Sequence, residues 1–527
     1  MPPPVPRPAD RRSRAAVDRI YLTTPIFYIN AEPHLGHTYT MVVVDTLARY
    51  WRSRGADTFF LTGTDEHGEK IAEAAAAAGE SPKQFADRLS ALFRSTWDEC
   101  GITYDHFIRT TDPEHVRHVQ EVVARVHERG DIYFGEYEGL YCTGCERYYT
   151  EKELVDGRCP DHRTVPDLRR EQNYFFRMSR YQKQLVAHIE ANPDWIRPER
   201  FRNEVLGFLR EPLEDLSISR PKSRLTWGIE LPFDAAFVLY VWIDALLNYT
   251  SAAAVRGGEF FARMWPAAEH VIAKDILKTH AIYWPTFLMS AGFPLYRHLN
   301  VHGYWTVEGQ KMSKSLGNVV APRDMIARYG RDSFRYFLLR ESVFGLDADF
   351  REEALVGRYN GDLANNLGNL VSRTLSMVHR YFGGEVPPAS CPESIDREVE
   401  DAFRSAEAEI DGHMSKLAFG RALESLFRAT DRANKYIVET APFTLAKSKS
   451  EMPRVGTILR VLVDALARSA SLAAPFLPDT ADRMVQLLGL PADATERYGA
   501  DAASRIPPGH RVNAPVPLFP RLDAPPA

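Results

Sequence analysis

The pattern of apolar and polar positions divides this chain into a mixed α/β part and a helical part. Residues 20–28 are rich in β-branched and aromatic side chains and read as a strand followed by a loop. Tyr39, Val42, Val43, Thr46, Leu47 and Tyr50 then recur at helical spacing, and Gly55 stands where that helix would stop. Residues 57–61 are again strand-like. Strand, helix and strand at this spacing form a βαβ unit, which predicts a parallel sheet. Residues 71–100 are Ala-rich and predict helix. Apolar segments at 237–247, 270–276 and 298–307 suit the second half of the same sheet domain. Between the halves, 140–170 is rich in Cys, Gly and charge, with weak periodicity, and reads as a small inserted module. From about Asp347 onward Gly and Pro thin out, and leucines fall at helical intervals (Leu363, Leu367, Leu370; Leu459, Leu462, Leu466). The last 22 residues hold seven prolines and cannot be helical, so 506–527 is expected to be a tail or an extended strap.

The expected fold class is therefore α/β: a Rossmann-like doubly wound parallel sheet, interrupted by a small insertion and followed by an all-α bundle. A length of 527 residues allows about three to five domains. With 45% hydrophobic and 26% charged residues, the composition is that of an ordinary globular protein. No run of about 18 apolar residues occurs, so no membrane-spanning helix and no membrane partner are expected. The start of the chain, rich in Arg and Pro, has no apolar core and fails as a secretory signal. A disordered basic tail over 1–17 and a cytoplasmic location are expected. The net charge of −5 does not by itself suggest a nucleic-acid partner. Any phosphate contacts would have to come from local basic stretches such as 197–202 and 220–224.

Three clusters carry chemistry. His34-Leu35-Gly36-His37 lies between the first strand and its helix. In an open α/β sheet the crevice at the strand C-termini is where ligands bind, and helix N-termini attract phosphate. Gly36 would let a ligand approach the backbone closely. Taken alone, two surface histidines capping a helix would explain the motif as well. Lys311-Met312-Ser313-Lys314-Ser315 follows a strand-like segment and reads as a loop with two mobile cationic donors for a polyphosphate. Taken alone it would read as a solvated basic loop. Cys142-x2-Cys145 and Cys159-x2-His162, thirteen residues apart, have the spacing of two zinc knuckles. Four protein ligands fill a tetrahedron, so one Zn2+ held there would be structural. The five cysteines are too few and uneven for a disulfide framework, and Cys100 and Cys391 stand alone.

His-x-Gly-His early in a βαβ unit and a later KMSKS string together resemble the class I aminoacyl-tRNA synthetases. Thr23-Thr24-Pro25-Ile26-Phe27-Tyr28, Thr62-Gly63-Thr64-Asp65-Glu66-His67-Gly68, Tyr240-Val241-Trp242-Ile243-Asp244-Ala245-Leu246 and Lys274-Asp275-Ile276…His280…Trp284-Pro285 resemble the methionyl family within that class. This likeness runs over about residues 18–520. It implies a ligase that activates L-methionine with ATP and Mg2+ and charges initiator and elongator tRNA(Met). It implies His34, His37, Lys311 and Lys314 as catalytic residues, with Gly36, Asp275, Ser313 and Ser315 also contacting ATP. It implies a methionine pocket of Ile26, Tyr28, Asp65, Trp242, Ala245, Tyr249, His280 and Trp284, the aromatic members on loops that follow strands. Leu363–Arg373 matches the family's anticodon-reading helix, with Asn369 and Arg373 reading bases and Phe443 where the family carries a stacking Trp.

The implied domains are a tail (1–17), the first half of the catalytic domain (18–130), a connective insertion with the zinc knuckle (131–226), the second half (227–308), a KMSKS-bearing linking fold (309–352), an α-helical anticodon domain (353–505) and the Pro-rich tail (506–527). A monomer is expected. The valyl, isoleucyl and leucyl enzymes usually carry a longer editing insertion, and a cysteinyl enzyme would place zinc in its active site. A non-catalytic tRNA-binding paralogue would be expected to have lost a motif residue. A zinc-ribbon nucleic-acid protein would account for 131–170 alone.

Overall fold

The central sheet follows the hydrophobic pattern closely. The computed structural model describes residues 18–144, 147–149, 151–160, 163–312, 317–495 and 506–523; the expected tail over 1–17 lies outside them. The strands run in the order His106–Arg109, Asp57–Asp65, Arg19–Thr23, Ala268–Ala273, His298–His302 and Ile196–Arg197, all parallel. The first three strands step one way from Arg19–Thr23 and the later ones step the other way. The sheet is therefore doubly wound, with its switch point between Arg19–Thr23 and Ala268–Ala273, where Thr23 faces His270.

The run 20–28 is not one strand. Thr24 N–H still bonds Leu61 C=O at 3.1 Å. Pro25 has no N–H to continue the ladder, and Phe27–Tyr28 resumes beside Thr64 and Asp65. The next helix, Leu35–Ser53, buries Leu35, Tyr39, Val42, Val43, Leu47 and Tyr50 and stops at Gly55. The Ala-rich stretch forms two helices, Glu69–Ala78 and Pro82–Glu99. Gly79 ends the first at φ +70°, and Ser81 caps the second by accepting from Gln84 N–H.

Two further expectations are corrected. The segment 131–226 is not a single insertion. Its Ile196–Arg197 strand pairs with Leu299 and Asn300 in the main sheet, and Leu185, Ile189, Phe201 and Val205 join the core beneath it. A two-residue strand leaves no periodic trace in a sequence, so the sequence pattern could not place it. The separate part is the antiparallel ribbon of Ile132–Cys142 and Asp167–Phe176, flanked by Arg147–Tyr149 and Leu216–Ser217. The apolar run 237–247 also divides. Asp234–Leu239 belongs to a small antiparallel sheet with Ser219–Pro221 and Glu230–Leu231, and Val241–Ala254 is helix.

After His302 the chain makes a three-stranded sheet (Trp305–Val307, Gln310–Lys311, Ala348–Phe350) and the helices Pro322–Tyr329 and Arg331–Glu341. A Cβ on Gly303 would stand 2.3 Å from the Leu346 backbone, so this crossing accepts only glycine. The C-terminal bundle comprises Asn369–Phe382, Ser394–Met414, Phe419–Thr440, Met452–Ala473 and Pro478–Leu487. It shares one apolar core with the Leu35–Ser53 helix. A fully buried ion pair, Asp45 to Arg335 at 2.7 Å, ties the Leu35–Ser53 helix to Arg331–Glu341, and Tyr50 donates to Asp411 of the bundle at 2.9 Å. The described Pro-rich segment is an extended strap: Val386 N–H bonds His510 C=O, Val512 N–H bonds Gly384 C=O, and Ile506, Val512 and Leu518 are buried.

Candidate active site

The His-x-Gly-His turn builds itself around the helix start. His34 is the N-cap residue: its Nδ1 accepts from Gly36 N–H at 3.1 Å, while His37 Nδ1 accepts from His34 N–H at 3.3 Å. The rings stack with centroids 3.8 Å apart. Because each Nδ1 is an acceptor, each Nε2 carries the proton. Burial, reinforced by the neighbouring His34, holds the His37 pKa well below its usual value. Two neutral N–H donors thus stand at a positive helix N-terminus, an arrangement suited to phosphate oxygens.

The second motif meets the first there. Leu35 N–H bonds Val320 C=O at 3.0 Å, just beyond the lysine-rich loop. The Met312 methyl lies 3.8 Å from where a Cβ on Gly36 would be, and a Cβ there would also sit 3.1 Å from the His34 ring. Lys311 ends the Gln310–Lys311 strand. Ser313, Lys314 and Ser315 lie outside the described residues.

One cavity of about 510 Å³ opens at the switch point, within the range of roughly 300–1,000 Å³ usual for small-molecule sites. His34, Gly36, His37 and Asp275 line one part of it. Ile26, Tyr28, Asp65, Trp242, Ala245, Tyr249 and His280 line it as well. Trp284 does not. It is fully buried behind Tyr249 and donates its Nε1–H to His270 Nε2 at 3.2 Å. The aromatic pocket residues do not sit on loops either. Trp242, Ala245 and Tyr249 lie on the Val241–Ala254 helix, where a spacing of three and four puts them on one face. His280 lies in a π-helical turn, Thr279–Tyr283, a geometry frequent at functional sites.

Hydrogen bonds fix the apolar wall. His280 Nδ1–H donates to Ile276 C=O at 3.0 Å, so its Nε2 accepts from Tyr249 O–H at 2.8 Å. Burial lowers the His280 pKa to about 4 and keeps the ring neutral. Tyr21 O–H and Tyr296 O–H anchor the backbone carbonyls of Tyr249 and His280, both at 2.8 Å. Sequence reasoning assigned no role to several residues that serve this site. Tyr240, Thr279 and His302 line the cavity, and Thr40 Oγ1 holds His302 Nε2 at 2.8 Å. A usable signal was the position of His302 at a strand end shortly before the lysine-rich loop. Buried Glu66 takes Arg109 in a fork (2.6 and 2.8 Å) and hydroxyls from Thr64 and Thr111, so the residue following Asp65 cannot shift.

Beside the cavity, Cys142 and Cys159 are buried with Tyr149 in a small cluster of their own, and neither is in a disulfide. Cys145 and His162 lie outside the described residues, and among the described ones no group of three metal-ligating side chains gathers. The two thiols that can be placed are soft donors sharing one buried pocket, which fits a zinc knuckle. This module docks on the cavity rim. Glu153 pairs with Lys278 at 3.0 Å, Arg169 pairs with Glu69 at 3.9 Å, and Gly144 lines the cavity. In the basic stretches named as phosphate contacts three arginines are engaged by the protein itself, whereas Arg200 is exposed. Arg197 pairs with Glu269 at 3.1 Å, Arg220 is buried against Tyr240, and Arg224 pairs with Glu69 at 2.7 Å.

In the bundle, Asn369 Nδ2–H donates to Asn434 Oδ1 at 3.4 Å, and Asn366 donates to Asp431 at 2.6 Å. Phe443 is 49% exposed, in the short helix Pro442–Leu445 entered through Ala441 at positive φ.

Known proteins agree with where this geometry leads. A family profile described as tRNA synthetases class I (M) matches residues 20–165 and 162–375, so the sheet, its switch-point cavity and the two motifs are those of a class I aminoacyl-tRNA synthetase. A second profile, the anticodon binding domain of methionyl tRNA ligase, matches 386–525. The chain belongs to the methionyl-tRNA synthetase family. It is 45% identical over 505 residues to a methionine–tRNA ligase of Caldanaerobacter subterraneus, covering 95% of this chain and 79% of that one. It is 41% identical to one of Streptomyces coelicolor, covering 96% and 97%. The Mycobacterium tuberculosis methionyl-tRNA synthetase solved with methionyl-adenylate superposes with a TM-score of 0.92 at 42% identity, covering 96% of this chain and all of that one.

Proposed function

We propose that this chain is a methionine–tRNA ligase that forms methionyl-adenylate from L-methionine and ATP and passes the methionyl group to the 3′ end of tRNA(Met), initiator and elongator alike. One observation carries the reading: a single cavity joins the paired imidazole donors at a helix N-terminus to an apolar, aromatic-walled pocket. A thioether is polarisable and packs well against such rings. In the first step a methionine carboxylate oxygen attacks the α-phosphorus, the bond to the bridging oxygen breaks, and pyrophosphate leaves. The protein's contribution is positioning and charge stabilisation. His34 and His37 donate to phosphate oxygens, Lys311 and Lys314 neutralise the departing pyrophosphate, and Ser313, Ser315 and Asp275 contact the nucleotide. Asp65 takes the substrate ammonium. In the second step the terminal ribose hydroxyl attacks the acyl carbon and AMP leaves.

Mg2+ accompanies ATP. Cys142, Cys145, Cys159 and His162 would hold one Zn2+, which supplies rigidity to the module on the rim rather than chemistry. Asn369 and Arg373 read anticodon bases, and Phe443 stacks on one. The enzyme acts as a cytoplasmic monomer. The test is single-turnover adenylate formation by Lys314→Ala. The rate is expected to fall at least a hundredfold with methionine affinity nearly unchanged; an unchanged rate would overturn the assignment.

A further inference from the structure

The amino-acid pocket has two sides, and they come from distant parts of the chain. Asp65, at the end of the Asp57–Asp65 strand, faces the cavity from one side, and Trp242, Ala245 and Tyr249 face it from the Val241–Ala254 helix. A carboxylate that no catalytic step uses sits between them. Asp244 is 1% exposed and lies on the same helix. Its Oδ2 faces His67 Nδ1 at 2.7 Å and its Oδ1 faces His115 Nε2 at 2.8 Å. His67 is two residues beyond Asp65. His115 is fully buried in the Pro113–Glu128 helix, which packs along Val241–Ala254.

We infer that Asp244 is a positioning residue that locks the ammonium-binding side of the pocket to its side-chain-binding helix, through His67 on one oxygen and His115 on the other. The geometry supports this at both ends. His67 is itself wedged against the Trp227 ring at 5.2 Å, and Trp227 donates its Nε1–H to Glu66 C=O. Glu66 is in turn saturated by Arg109, Thr64 and Thr111. The strand end is therefore rigid, and Asp244 is the place where the helix registers against it. Burial raises the cost of the Asp244 charge, but His67 and His115 outweigh it and hold its carboxyl below the usual range. A carboxylate serves here because it accepts on both oxygens, whereas an amide offers one acceptor and one donor.

The inference rests on the methionine–tRNA ligase reading. Methionine-dependent ATP–pyrophosphate exchange is measured for the full-length wild type, Asp244→Asn, His67→Asn and the double variant, alongside thermal melting. If the wild type shows no exchange, the functional reading has failed and not this inference. With an active wild type, Asp244→Asn is expected to raise KM for methionine tenfold or more. KM for ATP should stay within twofold and kcat within a few-fold. The double variant should be no worse than the poorer single one, because both break the same lock. Equal loss on both substrates together with a lowered melting point would mean that Asp244 is merely structural. So would additive effects of the two substitutions, and either result overturns the proposal. If Asp244→Asn does not fold, His67→Asn decides alone by the same split of the two KM values.

Discussion

The cavity and the anticodon face of the bundle hold their candidate residues in opposite ways. In the cavity several polar side chains are held by a fixed partner: the His37 ring by the His34 backbone N–H, Tyr249 by His280, Thr40 by His302. On the bundle, Arg373 is half-buried and Phe443 stands 49% exposed. A small substrate gains from a concave site organised before it binds. A folded RNA brings its own shape and needs base edges and ring faces offered to it. The two regions should therefore fail separately, one in the chemistry and the other in tRNA selection alone.

The largest expected effect lies in the cavity. His37→Ala removes one N–H donor and half of the helix cap, and should lower kcat for ATP–pyrophosphate exchange about 100- to 1,000-fold. A fluorescence titration should leave tRNA affinity unchanged. Equal loss of both would erase the separation.

Acid should act on the two regions with opposite sign. Burial lowers the pKa of His280 and of His302 to about 4. The unfolded chain takes up these protons first, at about 6.5, so the sheet domain loses up to about 1.4 kcal/mol per pH unit for each histidine between about 6.5 and 4. Asp464, in the Met452–Ala473 helix, is raised to about 6 by burial, against the pull of Arg460. Its folded form holds the proton more tightly, so the bundle gains stability as pH falls from about 6 toward 4. Amide exchange at pH 7 and pH 5, corrected for intrinsic rates, should show weaker protection in Ala268–Ala273 and stronger protection in Met452–Ala473. A common sign would break the contrast.

The smaller effects belong to the bundle. Arg373→Ala should lower kcat/KM for tRNA about tenfold, as expected for loss of one base contact worth about 1–3 kcal/mol, and leave exchange untouched. Phe443→Trp should improve the same constant by a few-fold at most, since a larger ring adds stacking area to a contact worth about 1–3 kcal/mol in all.

How much of this was legible in the sequence follows from range. The βαβ unit, the helix ending at Gly55 and the strap over 506–523 were legible because local spacing, a glycine and a run of prolines determine them. The motif at His34 was legible as a helix cap, yet the reciprocal bonding of His34 and His37 within it was not. The pocket was assigned to loops because the run 237–247 looks alike as strand or helix; the register that ends Asp234–Leu239 and starts Val241–Ala254 is set by its antiparallel partners. Trp284 was placed in the pocket by the family resemblance; in this structure its ring donates to His270, a contact no local pattern reveals. Arg197 and Arg224 read as a basic surface because nothing local reveals Glu269 and Glu69.

The central claim is that the switch-point cavity takes methionine and ATP together. The direct measurement is ATP–pyrophosphate exchange by the purified chain, without tRNA, across a panel of amino acids. Methionine should drive exchange at least a hundredfold better in kcat/KM than leucine, isoleucine or valine. Exchange driven as well by another amino acid, or none with methionine, would contradict it.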